Sequence, residues 1–397
     1  MTNITRTDAG AVVFSIEGRT LKLDTALDVK QFTDELAANS DLTEIRLSGN
    51  TFGVEAGRAI AQALKGQYSL QTASLSDMFT SRLRNEIPLV LEALVEALED
   101  KTSLRELDLS DNAFGPAGAE PLQRLLVNNR HIQTLRLYNN GLGIEGARLV
   151  SEALVKAADK NREEGRASSL KVVYIGRNRM ESPGIMHLCK AFEAHADTLR
   201  EVRMPQNSIR PEGIAALMEA LSRCEQLEHL DVQDNTFTEK GSAALAKVVG
   251  GWKNLKALHI GDCLLGAEGS KLVLAALTNG NTALEKLHLA FNEIDPEGAA
   301  LIPELLLNKK SINLLELNGN AFDPEGDAVR DVKRVLLENG GEGALDELDE
   351  MEWDEDEEEE DEDEDEEMEK AQKAVDDEDV DDDEIDGLTA ATAKLNV

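Results

Sequence analysis

One phrase, repeated ten times, constrains the fold of this chain more than any other feature. It reads LxxLxLxxN, as in LRELDLSDN (104–112) and LEHLDVQDN (227–235). We call its last position the slot. Successive slots are 28 to 38 residues apart, and their occupants are Asn50, Met78, Asn112, Asn140, Asn178, Asn207, Asn235, Cys263, Asn292 and Asn320. Because one copy cannot bury its own apolar face, neighbouring copies must stack.

The residue pattern and the spacing between copies are typical of a long leucine-rich repeat. The alternating LxL predicts a short strand with one buried side, and the slot Asn satisfies backbone groups where the chain leaves the strand. The segments 55–64, 145–154, 212–221 and 240–249 have apolar residues at helical spacing, which predicts helices. The predicted fold class is therefore α/β: a leucine-rich-repeat solenoid, shaped as a ribonuclease-inhibitor-like horseshoe with parallel strands on the concave face and helices on the convex face.

Composition divides the chain into two parts. Residues 342–386 contain 30 acidic residues and only two lysines. A segment of such like charge cannot bury enough apolar surface to fold. We predict a leucine-rich-repeat domain at 1–341, with about 11 repeats including an N-terminal cap at 12–24, and an acidic disordered tail at 342–397.

Two of the intervals between slots are longer than the others. The 34-residue interval before Asn112 predicts a longer helix within 86–103. The 38-residue interval before Asn178 predicts an extra polar helix end or a loop at 155–169.

The three cysteines, Cys189, Cys224 and Cys263, are far apart and form no CxxC motif, which favours a reducing compartment. No apolar run approaches the ~18 residues that a membrane span needs. We expect a soluble protein with neither a membrane nor a nucleic acid as partner.

No motif predicts a catalytic centre within this chain. GLGIEG (141–146) has the spacing of a dinucleotide-binding loop, but 52–57 and 114–119 occupy the same place in their repeats, so its glycines belong to the repeat turn. The chain contains no GxxxxGK[ST] phosphate-binding loop.

A metal site on the strands is the other candidate. His259 and His288 occupy the same strand position in consecutive repeats, with Asp231 and Glu316 one repeat further out. Neighbouring parallel strands lie ~4.8 Å apart, so these side chains could form a cluster. The alternative is an ordinary polar strand face.

Candidate binding residues lie beside the slots, where strands pass into turns. Loops on a rigid scaffold often carry binding groups, although an ordinary solvated edge remains the alternative. The segment LSDMFTSRLRNEIP (75–88) departs from the pattern, and we expect its two arginines to be exposed. The candidates are Asp77, Arg82, Arg84, Asp111, Asn139, Arg177, Arg179, Arg210, Asp234 and Asp262.

Seven phrases of the chain are more specific than the repeat pattern: LSDMFTSRLRNEIP (75–88), LSDNAFGPAGAEPL (109–122), LYNNGLG (137–143), GRNRME (176–181), QNSIRPEGI (206–214), LDVQDNTFTEKGS (230–242) and LNGNAFDPEGD (317–327). An acidic tail that opens with LDELDEME (345–352) follows them. In these phrases the chain resembles the Ran GTPase-activating proteins in their short fungal form, and the resemblance covers nearly the whole chain.

The resemblance implies functions for three residues. Arg82 matches a conserved arginine of the family, Arg84 matches its basic neighbour, and Asn139 matches an asparagine at the centre of the Ran interface. Asn139 and Arg82 would then act in trans on the GTPase. The asparagine is implied to order the GTPase's own catalytic glutamine and the attacking water, without an inserted arginine finger.

The resemblance also implies the biological setting. The chain would activate an enzyme without being one, and would carry no cofactor, since GTP and Mg²⁺ belong to the partner. That partner would be Ran in its GTP form, with a Ran-binding protein as an open further component. A cytoplasmic monomer that supports nucleocytoplasmic transport is expected. The alternative is a non-catalytic leucine-rich-repeat clamp that sequesters a basic protein.

Overall fold

The computed structural model describes residues 3–352, and within them each repeat forms a strand followed by a helix. The strands are β1 (Ile4–Arg6), β2 (Val12–Ser15), β3 (Lys22–Leu23), β4 (Glu44–Arg46), β5 (Thr51–Phe52), β6 (Thr72–Ser74), β7 (Glu106–Asp108), β8 (Thr134–Arg136), β9 (Val172–Tyr174), β10 (Glu201–Arg203), β11 (His229–Asp231), β12 (Ala257–His259), β13 (Lys286–His288) and β14 (Leu314–Glu316). The helices are α1 (Lys30–Ala37), α2 (Val54–Leu64), α3 (Ile87–Leu98), α4 (Gly115–Asn128), α5 (Gly143–Glu163), α6 (Glu181–Ala194), α7 (Pro211–Leu221), α8 (Thr238–Val249), α9 (Gly266–Thr278), α10 (Pro296–Ala299), α11 (Ile302–Leu307) and α12 (Asp327–Glu338).

Twelve strands form one sheet in the order β1-β2-β4-β6-β7-β8-β9-β10-β11-β12-β13-β14. All neighbours are parallel except β1, which pairs antiparallel with β2 at the N-terminal end. Equivalent residues pair in register, so Leu107, Leu135 and Val173 lie side by side in the core. The predicted leucine-rich-repeat solenoid and its N-terminal cap are confirmed. β3 and β5 form a separate two-stranded sheet.

The slot residues form a buried hydrogen-bond ladder. The side-chain oxygen of Asn140 accepts a hydrogen bond from the backbone N–H of Asn112 at 2.9 Å, and the backbone N–H of Asn140 donates to the side chain of Asn178 at 2.9 Å. The amide group of Asn140 also donates to the carbonyl of Leu109. At Cys263 the thiol replaces the amide as donor. Each slot asparagine therefore ties the end of one strand to the neighbouring repeat, as the sequence predicts, whereas Met78 takes part only through its backbone N–H, which donates to the side chain of Asn112.

A second set of side chains satisfies carbonyl groups at the ends of the helices, which the sequence analysis did not identify. The Asn129 side chain donates to the carbonyl of Leu98 at 3.0 Å, and the ammonium group of the fully buried Lys309 donates to the carbonyls of Leu277 and Gly280. Such carbonyls have no partner within their own helix. The donors are Gln67, Lys101, Asn129, Trp252, Asn281, Lys309 and Asn339.

The two long intervals have different structural causes. α5 has 21 residues and ends at Glu163, so of the two alternatives predicted at 155–169, a helix end or a loop, the extra helix end is confirmed for most of the segment. α3 has only 12 residues, with Pro88 in its first turn, so the longer helix predicted within 86–103 is wrong. The extra residues of that repeat instead form a loop at 79–86, because proline is tolerated in the first turn of a helix but not deeper inside it.

The three cysteines are buried and unbonded, and burial raises the pKa of each thiol to about 12. They are therefore protonated side chains of the core. Within residues 3–352 no helix combines the length and the apolar character needed to cross a bilayer.

Residues 342–352 pack on the last repeat. The backbone N–H of Leu315 in β14 donates to the carbonyl of Ala344 at 2.7 Å, and Ala344 is only 3% exposed. The Asp346 carboxylate accepts a hydrogen bond from the backbone N–H of Leu317 at 2.9 Å. This segment therefore closes the open edge of the sheet.

The predicted domain boundary at Gly341 is consequently wrong, since one compact unit extends through Glu352. The composition of this segment is mostly acidic and gives no sign of its packing. Its apolar residues, among them Leu348 and Met351, nevertheless pack against the core. The disorder predicted for the rest of the tail, 353–397, lies outside the described residues.

We expect a chain that ends at Gly341 to be less stable than one that ends at Glu352. The shorter chain loses the partners of β14 and exposes the core beneath Ala344, at a cost of at least ~2 kcal/mol for two to three lost hydrogen bonds. Urea denaturation of both chains measures the difference. Equal midpoints would contradict the capping role, and the chain ending at Glu352 should match the full-length protein.

Candidate functional site: the rim

We call the rim the edge of the sheet where strands pass into turns, formed by the residues immediately before and after each slot. Many of them have left-handed backbone conformations, with φ of 53° at Asn139, 52° at Arg177 and 52° at Asp234. Asn, Asp and Gly tolerate this conformation better than other residues. The backbone alone thus accounts for part of the Asp and Asn content of the rim.

The central rim contains an open cavity of about 540 Å³. Six of the ten candidate residues line it, together with polar neighbours from the same turns. Its walls are formed by Asn139, Arg177, Arg179, Gln206, Ser208, Arg210, Asp234, Asn235, Thr236, Asp262 and Leu264. The structure therefore brings together candidate residues that span more than 120 positions of sequence.

The charged groups of this rim cavity are unpaired. No carboxylate within residues 3–352 forms an ion pair with Arg177, Arg179 or Arg210, and Asp234 and Asp262 likewise have no basic partner there. All five residues are exposed. Charges in this state remain available for a partner of complementary charge.

Asn139 is held by its backbone and offers its side chain to the surface. Its N–H donates to the carbonyl of Gly176 at 2.9 Å, and its side-chain amide donates to the Asp111 carboxylate at 2.8 Å. Its side-chain oxygen accepts no hydrogen bond from the described part of the chain. The next residue, Asn140, is fully buried in the slot ladder, so adjacent asparagines occupy different environments.

The remaining candidates lie outside the cavity, towards the N-terminal end of the rim. Asp77 accepts a hydrogen bond from the Thr80 hydroxyl at 2.5 Å. Arg84 is exposed in the loop at 79–86, and its guanidinium lies beside Gly115 in the following repeat. Asp111 reaches the cavity only through its hydrogen bond to Asn139.

The predicted exposure of Arg82 is wrong, because its side chain is only 8% exposed. Its guanidinium donates to the hydroxyl and the carbonyl of Thr51, both at 2.8 Å, and to the carbonyl of Leu23 at 3.2 Å. It also forms an ion pair with Asp24. Arg82 therefore joins the loop at 79–86 to the β3–β5 sheet of the cap.

The histidine pair on the strands does not form a metal cluster. His259 and His288 stack with ring centroids 3.7 Å apart, and His288 contacts the Glu316 carboxylate. Burial lowers the pKa of His259 to about 3, so its ring is neutral at physiological pH. Within residues 3–352 no group of three or more His, Cys, Asp or Glu side chains could hold a metal ion.

Comparisons with known proteins agree with this fold. A family model described as "Leucine Rich repeat" matches residues 38–61, 100–122 and 280–302. The pig ribonuclease inhibitor is 25% identical over 347 residues, which cover 78% of this chain and 71% of the inhibitor.

Stronger similarity connects the chain to one family. Ran GTPase-activating protein 1 of Saccharomyces cerevisiae is 36% identical over 327 residues, which cover 80% of each chain. The chain belongs to the Ran GTPase-activating protein family. The Xenopus laevis member is 43% identical over 209 residues, which cover 52% of this chain and 36% of that protein.

The rim residues of this family member that the sequence candidates do not include are, among others, Ser208, Leu264 and Phe291. Each has a left-handed backbone, with φ between 52° and 57°. A repeat alignment could have found them, because each stands directly beside a slot and yet is none of the residues that favour this conformation. A search for polar residues beside the slots does not select Leu264 or Phe291, because both are apolar.

We expect Asn140→Ala to destabilise the protein by ~1–3 kcal/mol, because the backbone N–H of Asn112 and the carbonyl of Leu109 would lose buried partners. Asn139→Gly should change stability by no more than ~0.5 kcal/mol, since glycine accepts the same left-handed backbone. Denaturant unfolding measures both. Equal losses in the two variants would overturn the division between the buried slot asparagine and its half-buried neighbour on the rim.

Arg82→Ala should also destabilise the protein, by ~1–3 kcal/mol, because the carbonyls of Leu23 and Thr51 would each lose a donor and the ion pair with Asp24 would be removed. Arg84→Ala serves as the matched control, since its side chain is exposed and has no ion pair within residues 3–352. Thermal unfolding compares the two. An unchanged melting temperature for Arg82→Ala would show that these contacts do not stabilise the cap.

Proposed function

We propose that this chain stimulates GTP hydrolysis by the small GTPase Ran. Membership in a family whose relatives are named Ran GTPase-activating proteins supports the proposal. The observation that carries it is the position of Asn139, a fixed, half-buried amide in the wall of a cavity whose arginines and aspartates form no ion pair within residues 3–352.

The proposed chemistry is positioning in trans. Asn139 orders the catalytic glutamine of the GTPase and, through it, the attacking water. Phosphoryl transfer to water depends on positioning and charge stabilisation, so fixing one glutamine can raise a slow hydrolysis by orders of magnitude. An amide suits this role because it donates and accepts hydrogen bonds while remaining uncharged.

We propose that the arginines either bind the partner or support the loop at 79–86, and that none of them enters the active site of the GTPase as an arginine finger. Arg82 is held by Thr51, Leu23 and Asp24 of its own chain, so its contribution to catalysis is to fix the loop at 79–86. Arg177 and Arg179 form no ion pair with the described part of the chain, so their guanidinium groups can bind carboxylates of the partner.

The same proposal includes the setting of the reaction. The partner is Ran in its GTP form, which brings GTP and Mg²⁺ to the complex, and a Ran-binding protein can join it. The chain acts as a monomer in the cytoplasm, where discharge of Ran from its GTP form supports nucleocytoplasmic transport.

A turnover experiment separates this function from a sequestering clamp. Purified Ran loaded with GTP is mixed with trace amounts of the chain, and phosphate release is followed. Many turnovers per molecule of chain would support activation. Stoichiometric binding to the GTPase with no increase in its rate of GTP hydrolysis would instead establish the non-catalytic clamp.

We expect Asn139→Gly to lower the hydrolysis rate of saturated complexes by at least tenfold, because the amide that orders the glutamine is gone while the backbone is preserved. Single-turnover measurements at saturating chain give this rate. The control is Asn128→Gln, at an exposed site on α4 away from the rim. An unchanged rate for Asn139→Gly would exclude a catalytic role for its side chain.

A further inference from the structure

The C-terminal part of the rim exposes two large apolar side chains in adjacent repeats. Phe291, directly before the slot residue Asn292, is 46% exposed, and Leu264, directly after the slot residue Cys263, is 48% exposed. Leu264 lines the end of the rim cavity, next to Asp262. We call Phe291 and Leu264 the apolar rim patch.

Both residues adopt a backbone conformation that suits neither of them. φ is +55° at Phe291 and +52° at Leu264. In this left-handed region a bulky side chain is strained, whereas Asn, Asp or Gly is not. The positions equivalent to Phe291 hold Asp111, Asn139 and Gly319, and those equivalent to Leu264 include Gly141 and Ser208. Folding therefore gives no reason for phenylalanine here, and strain of this kind tends to occur at ligand-binding positions.

The next repeat is shaped to support the ring of Phe291. A Cβ atom on Gly319 would lie only 2.2 Å from Cδ1 of that ring, so the ring packs directly against the bare glycine. Gly319 itself has φ of +69°, which also favours glycine. One face of the ring is thus supported, and nearly half of the side chain remains open to a partner.

Phe291 and Leu264 continue the surface that the rim cavity begins. Equivalent residues of neighbouring repeats lie ~4.8 Å apart along the sheet. Phe291 is the equivalent of Asp262, a residue of the cavity wall, in the following repeat, and Leu264 belongs to the wall itself. A partner that covers Asn139 and the charged cavity therefore meets Leu264 in the wall and comes to Phe291 one repeat beyond Asp262. Aromatic side chains supported from below are frequent anchors of protein interfaces.

We propose that the apolar rim patch is a second anchor for the GTPase, which docks exposed aliphatic or aromatic side chains on Phe291 and Leu264. This inference rests on the proposed function and adds a contact that sets affinity without taking part in hydrolysis. The polar cavity then selects the charge pattern of the partner, and the apolar rim patch selects an apolar group at one end of it.

The test uses Phe291→Asn and Leu264→Asn in the full-length chain, with hydrolysis by Ran loaded with GTP as readout. Asparagine suits the left-handed backbone, so the melting temperature should stay the same or rise. KM should increase at least tenfold for Phe291→Asn, while kcat stays within about twofold. The increase should be similar at low and high salt, because an apolar contact is not screened.

Leu272→Gln on α9 is the matched control, since Leu272 is 40% exposed on the helical side and its replacement has a similar helix propensity. Its KM should equal that of the unchanged chain. An unchanged KM in Phe291→Asn, or a lower melting temperature with KM restored on cooling, would overturn the proposal. Absence of stimulation by the unchanged chain would instead overturn the proposed function and the partner named for this patch.

Discussion

The hydrogen-bond ladder through the slot residues is the interaction on which the rest of this structure depends. Strands of three residues form few backbone bonds, and each ends in a turn whose buried N–H and carbonyl groups need partners. The slot asparagines provide them from one repeat to the next, as Asn140 does for Asn112 and Leu109. Where Met78 cannot act as an amide donor, Arg82 ties the following loop to the neighbouring cap.

The ladder also determines the surface that can bind a partner. A buried slot residue requires the chain to turn sharply on both sides of it, and the flanking residues adopt left-handed conformations, as at Arg177 and Arg179 around Asn178. Their side chains are therefore placed at regular intervals along one edge before any partner arrives. Preorganisation of this kind lowers the entropy lost on binding.

The sequence predicts the strands, the slot ladder and most helices because these depend on residues within one repeat. It predicts poorly what depends on contacts between distant segments. Arg82 was expected to be exposed, but its acceptors are backbone atoms of Leu23 and Thr51, which no local pattern connects to it. Composition places the closing segment at 342–352 in the tail, because its acidic residues outnumber the few apolar residues that pack against the last repeat.

The charge of the chain acts on a partner at two distances. A formal charge of −37 attracts a basic protein before contact, but at physiological salt such attraction decays over ~8 Å. Within that distance the arrangement of individual charges determines how a partner is oriented. Arg177, Arg179 and Arg210 place positive charge in the cavity wall of a protein that is acidic overall. A uniformly acidic rim would hold a basic partner in many orientations. Arginines beside Asn139 that form no ion pair within residues 3–352 penalise every orientation that leaves them without a carboxylate, so the same charges that weaken overall attraction restrict how a partner can lie on this part of the rim.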